Sequence, residues 1–181
     1  MALRFWLEGL LHRLFSRTDE DYCSAHELNA QVSYRIIKTA VRHIMAIHAI
    51  EKDSFSDPWP LTSLREEIIH PQSVCLVAAV DKKTILGHIM MRYVLDEGHI
   101  HNIAVAVHAR RQGVGRRLLE TVISKASDLG VTSLTLEVRS KNHAAISLYK
   151  KMGFETCGHR NNYYRNPTDN ALVMVRKKED L

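Results

Sequence analysis

The chain has 181 residues, 45% of them hydrophobic and 25% charged, which suits one domain with a full apolar core. No apolar run reaches the roughly 18 residues of a membrane span, and 25 basic against 20 acidic residues leave a net charge of +5. That excess fits an anionic ligand or a ribosome-associated substrate but does not by itself argue for nucleic-acid binding. Cys23, Cys75 and Cys157 are odd in number and widely spaced. They form no disulfide framework or metal spacing, and the simpler expectation is a reduced, cytoplasmic setting.

In chain order, residues 3–17 place Leu3, Trp6, Leu7, Leu10, Leu11 and Leu14 at helical spacing, with Arg4, His12, Arg13 and Arg17 elsewhere. This predicts an amphipathic helix. It could pack on its own domain, dock a partner, lie on a membrane surface or serve as a presequence. The polar break Thr18-Asp19-Glu20-Asp21 follows, and residues 1–32 are expected to be an extension ahead of a domain over 33–181. Val41, Ile44, Met45, Ile47, His48 and Ile50 predict a first helix. Ser54-Phe55-Ser56-Asp57-Pro58-Trp59-Pro60 is a loop stiffened by two prolines, and 61–69 a second helix. Strands are expected over 74–80 and 85–95, then a tight connection at Asp96-Glu97-Gly98.

Residues 98–120 hold a strand ending in Ile103-Ala104-Val105, the loop Arg110-Arg111-Gln112-Gly113-Val114-Gly115 and a helix starting near Arg116. The helix carries Leu118, Leu119, Val122, Ile123, Ala126 and Leu129 on one side and stops at Gly130. Residues 134–138 alternate, with Leu134, Leu136 and Val138 on one face and Thr135, Glu137 and Arg139 on the other. Asn142 can cap a helix over 143–152 that ends at Gly153. Strands are expected over 154–158 and 171–175, separated by Arg160-Asn161-Asn162-Tyr163-Tyr164. The fold class is therefore α/β, a mixed sheet covered by helices.

The strand–loop–helix junction is an anion site in outline. Glycines let the backbone turn and bare its amides, the first amides of a helix lack intrahelical partners, and the helix dipole adds positive potential. Arg111, Arg116 and Arg117 add charge. The lysine and hydroxyl of a P-loop are missing, as is the Gly-x-Gly-x-x-Gly of a dinucleotide fold.

The pattern Arg110-x-x-Gly113-x-Gly115 resembles the pyrophosphate loop of the GCN5-related N-acetyltransferase (GNAT) family, which binds acetyl-CoA. The resemblance becomes specific downstream, in Leu136-Glu137-Val138-Arg139, Asn142, Ala144-Ala145-Ile146, Leu148-Tyr149 and Gly153-Phe154. It covers roughly residues 34–176. Val94-Leu95-Asp96-Glu97, Asn102-Ile103-Ala104-Val105, Arg111-Gln112-Gly113, Asn162-Tyr163-Tyr164 and Phe55 with Pro58-Trp59 look most like the bacterial ribosomal-protein alanine N-acetyltransferases within it. Archaeal N-terminal acetyltransferases share much of the pattern.

The resemblance implies a GNAT fold, acetyl-CoA as co-substrate, no metal, and a protein N-terminal α-amine as acceptor, with the N-terminal alanine of a small-subunit ribosomal protein as the expected one. It makes Glu137 the general base and Tyr149 the acid that protonates the leaving CoA thiolate. It assigns the pantetheine arm to the backbone of Ile103, Ala104 and Val105. The pyrophosphate falls to the amides of Arg111, Gln112, Gly113, Val114, Gly115 and Arg116, and a further cofactor contact to Asn142. Phe55, Trp59, Tyr163 and Tyr164 would wall the acceptor peptide. An α-amine of pKa near 7.7–8.0 is roughly 10–20% neutral at pH 7, so a carboxylate base working through water suffices for it.

Ala106-Val107-His108 stands where the family usually has an acidic residue and a proline, and Arg165 follows the tyrosine pair where the bacterial enzymes have proline. His99 and His101 alternate on one strand face, with His88 expected on its neighbour. They could hold a metal or supply an alternative base, but no cysteine or carboxylate completes a zinc pattern. Cys75 and Cys157 have no adjacent histidine and are not expected nucleophiles. The alternatives are acetylation of a lysine or small amine, and a non-catalytic acyl-CoA-binding module. No direct nucleic-acid contact is expected, because the aromatics are not interleaved with basic residues.

Overall fold

The computed structural model describes residues 25–28 and 32–177, with side chains from residue 33 onward. The expected helix over 3–17, and with it most of the extension over 1–32, lies outside the described residues. Ala25–Leu28 (β1) pairs antiparallel with Val32–Lys38 (β2). Then come two helices, Ile44–Ser54 (α1) and Leu61–Ile69 (α2). Ser73–Ala79 (β3), Ile85–Val94 (β4) and Glu97–Val105 (β5) form an antiparallel meander. Val114–Asp128 (α3) crosses over to Ser133–Arg139 (β6), which lies parallel to β5. His143–Lys151 (α4) leads into the hairpin Glu155–Arg165 (β7) and Thr168–Lys177 (β8). The strand order is β1-β2-β3-β4-β5-β6-β8-β7, and β5–β6 is the parallel pair.

The helices take opposite faces of the sheet. A Cβ on Gly87 would touch Leu118 of α3, while the next residue, His88, meets Glu51 of α1. Adjacent strand residues point to opposite faces, so α3 and α1 cover different sides. Helix α3 buries Val114, Leu118, Leu119, Val122 and Ala126, the stripe its sequence period marks. Strand β4 buries seven consecutive residues from Ile85 to Met91, as a strand covered on both faces must.

The sheet opens at its centre. The β5–β6 register runs from Glu97↔Ser133 to Ile100↔Leu136 and goes no further, although β6 stays paired with β8 through Arg139↔Ala171. A bulge coincides with the opening, because Met90 faces Asn102 and Met91 faces Ile100, leaving His101 as the extra residue of β5. Bulges bend and twist a strand. Beyond Ile100, β5 follows β4 while β6 follows β8, and a wedge-shaped gap forms between them.

Several expectations change. The sequence pattern places no strand before α1, but β2 turns Tyr34 and Ile36 inward and Ser33 and Arg35 outward. The helix expected from Arg116 begins at Val114, and the tight connection expected at 96–98 falls one residue earlier, with Leu95 at φ 54 and β5 already running from Glu97. The polar segment 160–164 is part of β7, not a loop between strands. It holds the register shift between Arg160 and Tyr164, where Asn162 adopts φ 52 and donates its backbone N–H to Asn170 Oδ1 at 2.9 Å. A bulge disguises the strand because its residues carry turn chemistry.

Candidate active site

The gap between β5 and β6 has two ends of different character. One is backbone-built. Gly113 caps α3 at φ 84 and Arg111 sits at φ 63, so the loop turns through two left-handed residues. No side chain caps α3, which leaves its first amides for a ligand. Gly113 is the position whose conformation favours glycine. Gly115 lies where a Cβ would meet Val105 at 3.5 Å and Leu148 at 3.8 Å, ordinary contact distances, so a methyl fits there while the position sits between the end of β5 and α4.

Arginines in this region divide their work. Arg110 donates through Nε to Val105 O at 2.9 Å and through a terminal nitrogen to Ser54 Oγ at 3.0 Å, tying the end of β5 to the end of α1. Arg116 and Arg117 both bind Glu120, at 2.7 and 2.9 Å, so a carboxylate one turn along α3 offsets part of the charge expected at the anion site. Gln112 donates to His108 O at 2.7 Å. Asn142 accepts from Ala145 N at 3.1 Å as the cap of α4, leaving its amide nitrogen for any cofactor contact.

The other end is built from side chains. Glu137 is the first residue of β6 past the opening, and its side chain is 10% exposed. Arg160 lies 3.0 Å from its Oε1, and His99 Nε2 lies 3.1 Å from its Oε2. His99 Nδ1 is 3.0 Å from Thr135 Oγ1, whose hydroxyl donates to Gly98 O at 3.3 Å. The His99 and His101 rings are 5.0 Å apart, and His101 reaches Trp59 at 5.6 Å. Burial lowers the His101 pKa against the opposing pull of Glu67, so this ring is neutral near pH 7. Glu67, itself buried, binds Arg92 and receives the Ser73 hydroxyl. Trp59, Pro60, Ser63, Glu66, Glu67, Arg92 and His101 line an open cleft of about 380 Å³.

The expected acceptor walls meet here. Arg139 donates to Pro167 O at 2.9 Å, to Asn166 O at 3.0 Å and to Ser56 Oγ at 3.0 Å. It thereby clamps the β7–β8 turn to the loop carrying Phe55 and Trp59. Arg139 also stacks on Tyr164 at 4.2 Å, and Arg160 lies over Tyr163 at 5.4 Å. Tyr163 is exposed, and burial pushes the half-buried Tyr164 phenol up to about 12. Phe55 packs against the core as well as bordering the loop.

A buried acid holds that loop from below. Glu51 of α1 accepts Trp59 N–H at 3.1 Å and Asn102 Nδ2 at 2.7 Å. His88 Nε2 comes within 3.2 Å of the same carboxylate without a hydrogen bond, its direction being wrong for one. Tyr149 is buried, its ring 5.9 Å from Phe154, and desolvation raises its pKa far above the usual phenol value. Such a phenol stays protonated, as an acid must before it acts. Cys75 is buried and its thiol is pushed up to about 12, which leaves no thiolate at neutral pH.

Glu51, Glu67, Arg139, Arg160 and the pairing of His99 with Glu137 are absent from the sequence expectations for the site. For Arg139 a cue existed, since it shares the polar face of β6 with Thr135 and Glu137.

Residues 44–154 match the acetyltransferase (GNAT) family. The chain is 34% identical over 143 residues to a putative [ribosomal protein bS18]-alanine N-acetyltransferase of Bacillus subtilis, covering 76% of this chain and 94% of that one. It is 47% identical over 86 residues to the [ribosomal protein bS18]-alanine N-acetyltransferase of Escherichia coli, which spans 45% of this chain and 57% of the relative. The fold superimposes on the crystal structure of the ribosomal-protein-S18-alanine N-acetyltransferase from Escherichia coli with a TM-score of 0.75 at 29% identity, over 82% of this chain and 96% of that one. The opened sheet, the uncapped helix behind a left-handed loop and the match across four helices and the central strands place this chain in the GNAT family of acetyltransferases.

Proposed function

We propose that this acetyltransferase moves the acetyl group of acetyl-CoA to the α-amine of a protein N-terminus, with the N-terminal alanine of a small-subunit ribosomal protein as acceptor. The observation that carries this is the position of Glu137, the first β6 residue beyond the β5–β6 opening, paired with His99 and with Arg160, which itself lies over Tyr163. The named acceptor rests on the similarity to the Bacillus and Escherichia ribosomal-protein alanine N-acetyltransferases.

The residues fit acetyl-CoA. The amides of Gly113 to Arg116 have no side-chain cap competing for them, which suits a pyrophosphate. Past Ile100, β5 has no β6 partner, so the backbone groups that Ile103 and Val105 turn away from β4 face the gap and can pair with the pantetheine amides, Val105 O being shared with Arg110, while Ala104 turns its own toward β4. An N–H there can also face the thioester oxygen, where negative charge gathers as the amine adds. Glu137 takes the amine proton, directly or through water. Nitrogen bonds to the carbonyl carbon, the C–S bond breaks, and Tyr149 supplies the thiolate's proton. The Tyr149 phenol is buried beside α4, so it reaches the sulfur only if the thioester enters fully into the gap.

Trp59, Tyr163 and Tyr164 border the entry for the acceptor chain, with Phe55 behind them. The test uses purified enzyme, acetyl-CoA, and two peptides of one sequence beginning with alanine. One has a free α-amine and no lysine; the other is blocked at its N-terminus and carries a lysine. Acetylation of the first alone is expected. Equal or faster modification of the blocked peptide would replace this reading with lysine acetylation.

A further inference from the structure

We propose that His99 and Glu137 act as one base, in which His99 receives the acceptor's proton from Glu137 and passes it to solvent. This rests on Glu137 being the base. His99 Nε2 lies 3.1 Å from Glu137 Oε2, and the His99 side chain is 37% exposed against 10% for Glu137. The carboxylate is thus the inner member of the pair and the imidazole the member that meets water. A base enclosed in a cleft must lose its proton before the next turnover, and His99 offers the path.

Thr135 sets the ring for that task. Its hydroxyl hydrogen goes to Gly98 O, so its oxygen accepts from His99 Nδ1–H at 3.0 Å. In the neutral ring Nε2 then carries no hydrogen, so its 3.1 Å approach to Glu137 Oε2 becomes a hydrogen bond, with Nε2 as donor, once a proton has passed between them. Charges around His99 come from every neighbouring element. Arg160 on β7 touches the other Glu137 oxygen, and Arg92 stands opposite His99 on β4. His101 follows on β5, with Glu67 of α2 beyond it at 4.0 Å. Tyr164 of β7 lies near enough to feel the Glu137 charge. Arg92 pairs with Glu67 and Arg160 with Glu137, so each carboxylate near His99 has its own arginine.

An acceptor ammonium gives one proton to Glu137, which passes to His99 Nε2 and then to water. The freed lone pair forms the N–C bond as C–S breaks, Tyr149 protonates the thiolate, and the second proton that the nitrogen sheds on becoming an amide restores the phenol.

The experiment compares kcat and kcat/KM against pH for the wild-type full chain, His99→Gln, Thr135→Val and Glu137→Gln. Two alanine peptides with different α-amine pKa values are used, so the limb that does not move with the peptide belongs to the enzyme. Calorimetric acetyl-CoA affinity within about twofold of wild type marks each variant as folded. Glutamine keeps a donor toward Glu137 but cannot carry a proton, so a merely orienting role survives the substitution. The expected result for His99→Gln is a kcat loss of about 10- to 100-fold at pH 7. Its enzyme limb should also move down by at least about one pH unit, from the histidine toward the carboxylate range. Thr135→Val should shift the limb the same way by less. An unmoved enzyme limb in folded His99→Gln, with Glu137→Gln still impaired, overturns the pair and leaves Glu137 as base. Near wild-type rates for Glu137→Gln overturn the underlying reading as well. Should His99→Gln lose acetyl-CoA binding, Thr135→Val decides alone, and an unmoved limb there overturns the proposal.

Discussion

Glu51→Ala should damage the acceptor side of the site from inside the core. The side chain is fully buried and accepts two hydrogen bonds, from Trp59 N–H and from Asn102 Nδ2. Bonds to a charged acceptor contribute about 1.5–3 kcal/mol each, so losing both costs about 3–6 kcal/mol. Removing a carboxylate from the interior returns part of its desolvation cost, on the order of 1–2 kcal/mol here. The net destabilisation is then about 1–5 kcal/mol. Glu51→Gln should be far milder. Asn102 Oδ1 is buried without a partner, so rotating that amide lets it accept from the new glutamine while Trp59 N–H keeps its acceptor. The assay is urea unfolding, with peptide KM and acetyl-CoA affinity measured below the transition. Peptide KM should rise more than acetyl-CoA Kd, because the freed element is the Trp59 loop. Stability of Glu51→Ala within about 1 kcal/mol of wild type would refute the assignment of those two bonds as the loop's anchor.

Gly113→Val should weaken acetyl-CoA binding and cost about 1–2 kcal/mol, because a left-handed residue must accept a Cβ; Gly115→Ala should change both little, its Cβ meeting Val105 at an ordinary 3.5 Å, and calorimetry with thermal unfolding separates the two. Arg139→Ala should release the β7–β8 turn from the Ser56 loop and raise peptide KM about fivefold for each 1 kcal/mol of order lost, with acetyl-CoA Kd unchanged. Tyr149→Phe should lower kcat by roughly 10²-fold, and less with a thioester whose thiol is more acidic. Because burial raises the Tyr149 pKa, rising pH removes no proton from it in the working range, and wild-type kcat should show no alkaline fall near pH 9–10.

Those expectations depend on contacts of very different legibility. Helix α3 could be read directly, because Leu118, Leu119, Val122 and Ala126 repeat at its period and Gly130 ends it at φ 81. Strand β6 could be read because it alternates strictly. Strand β2 was harder, since only Tyr34 and Ile36 mark its inward face before helical spacing resumes. The middle of β7 resisted for a different reason. Its Asn161-Asn162 pair has turn chemistry because the strand bulges there, and propensity alone cannot tell a bulge inside a strand from a turn between strands.

The two ends of the site divide along the same line. The anion end depends on local backbone geometry: a left-handed Gly113 and an uncapped helix start. Each acts within a few residues, so spacing in the sequence carries it. At the acceptor end, Glu137 depends on Arg160 from another strand, His99 on Thr135 36 residues away, and Trp59 on Glu51 beneath it. Arg139 bridges 83 residues to Ser56. No period encodes such pairs. They are made by tertiary pairing: His99 and Thr135 are partners within the β5–β6 register, and Glu137 comes free where that register stops after Ile100. The bulge that leaves His101 unpaired thus does two things at once. It bends β5 away from β6 to admit a thioester, and it aims His101 toward Trp59. On the proposed function, donor entry and acceptor wall both hang on this one irregularity, so substitutions that restore a regular β5 should impair both substrates together.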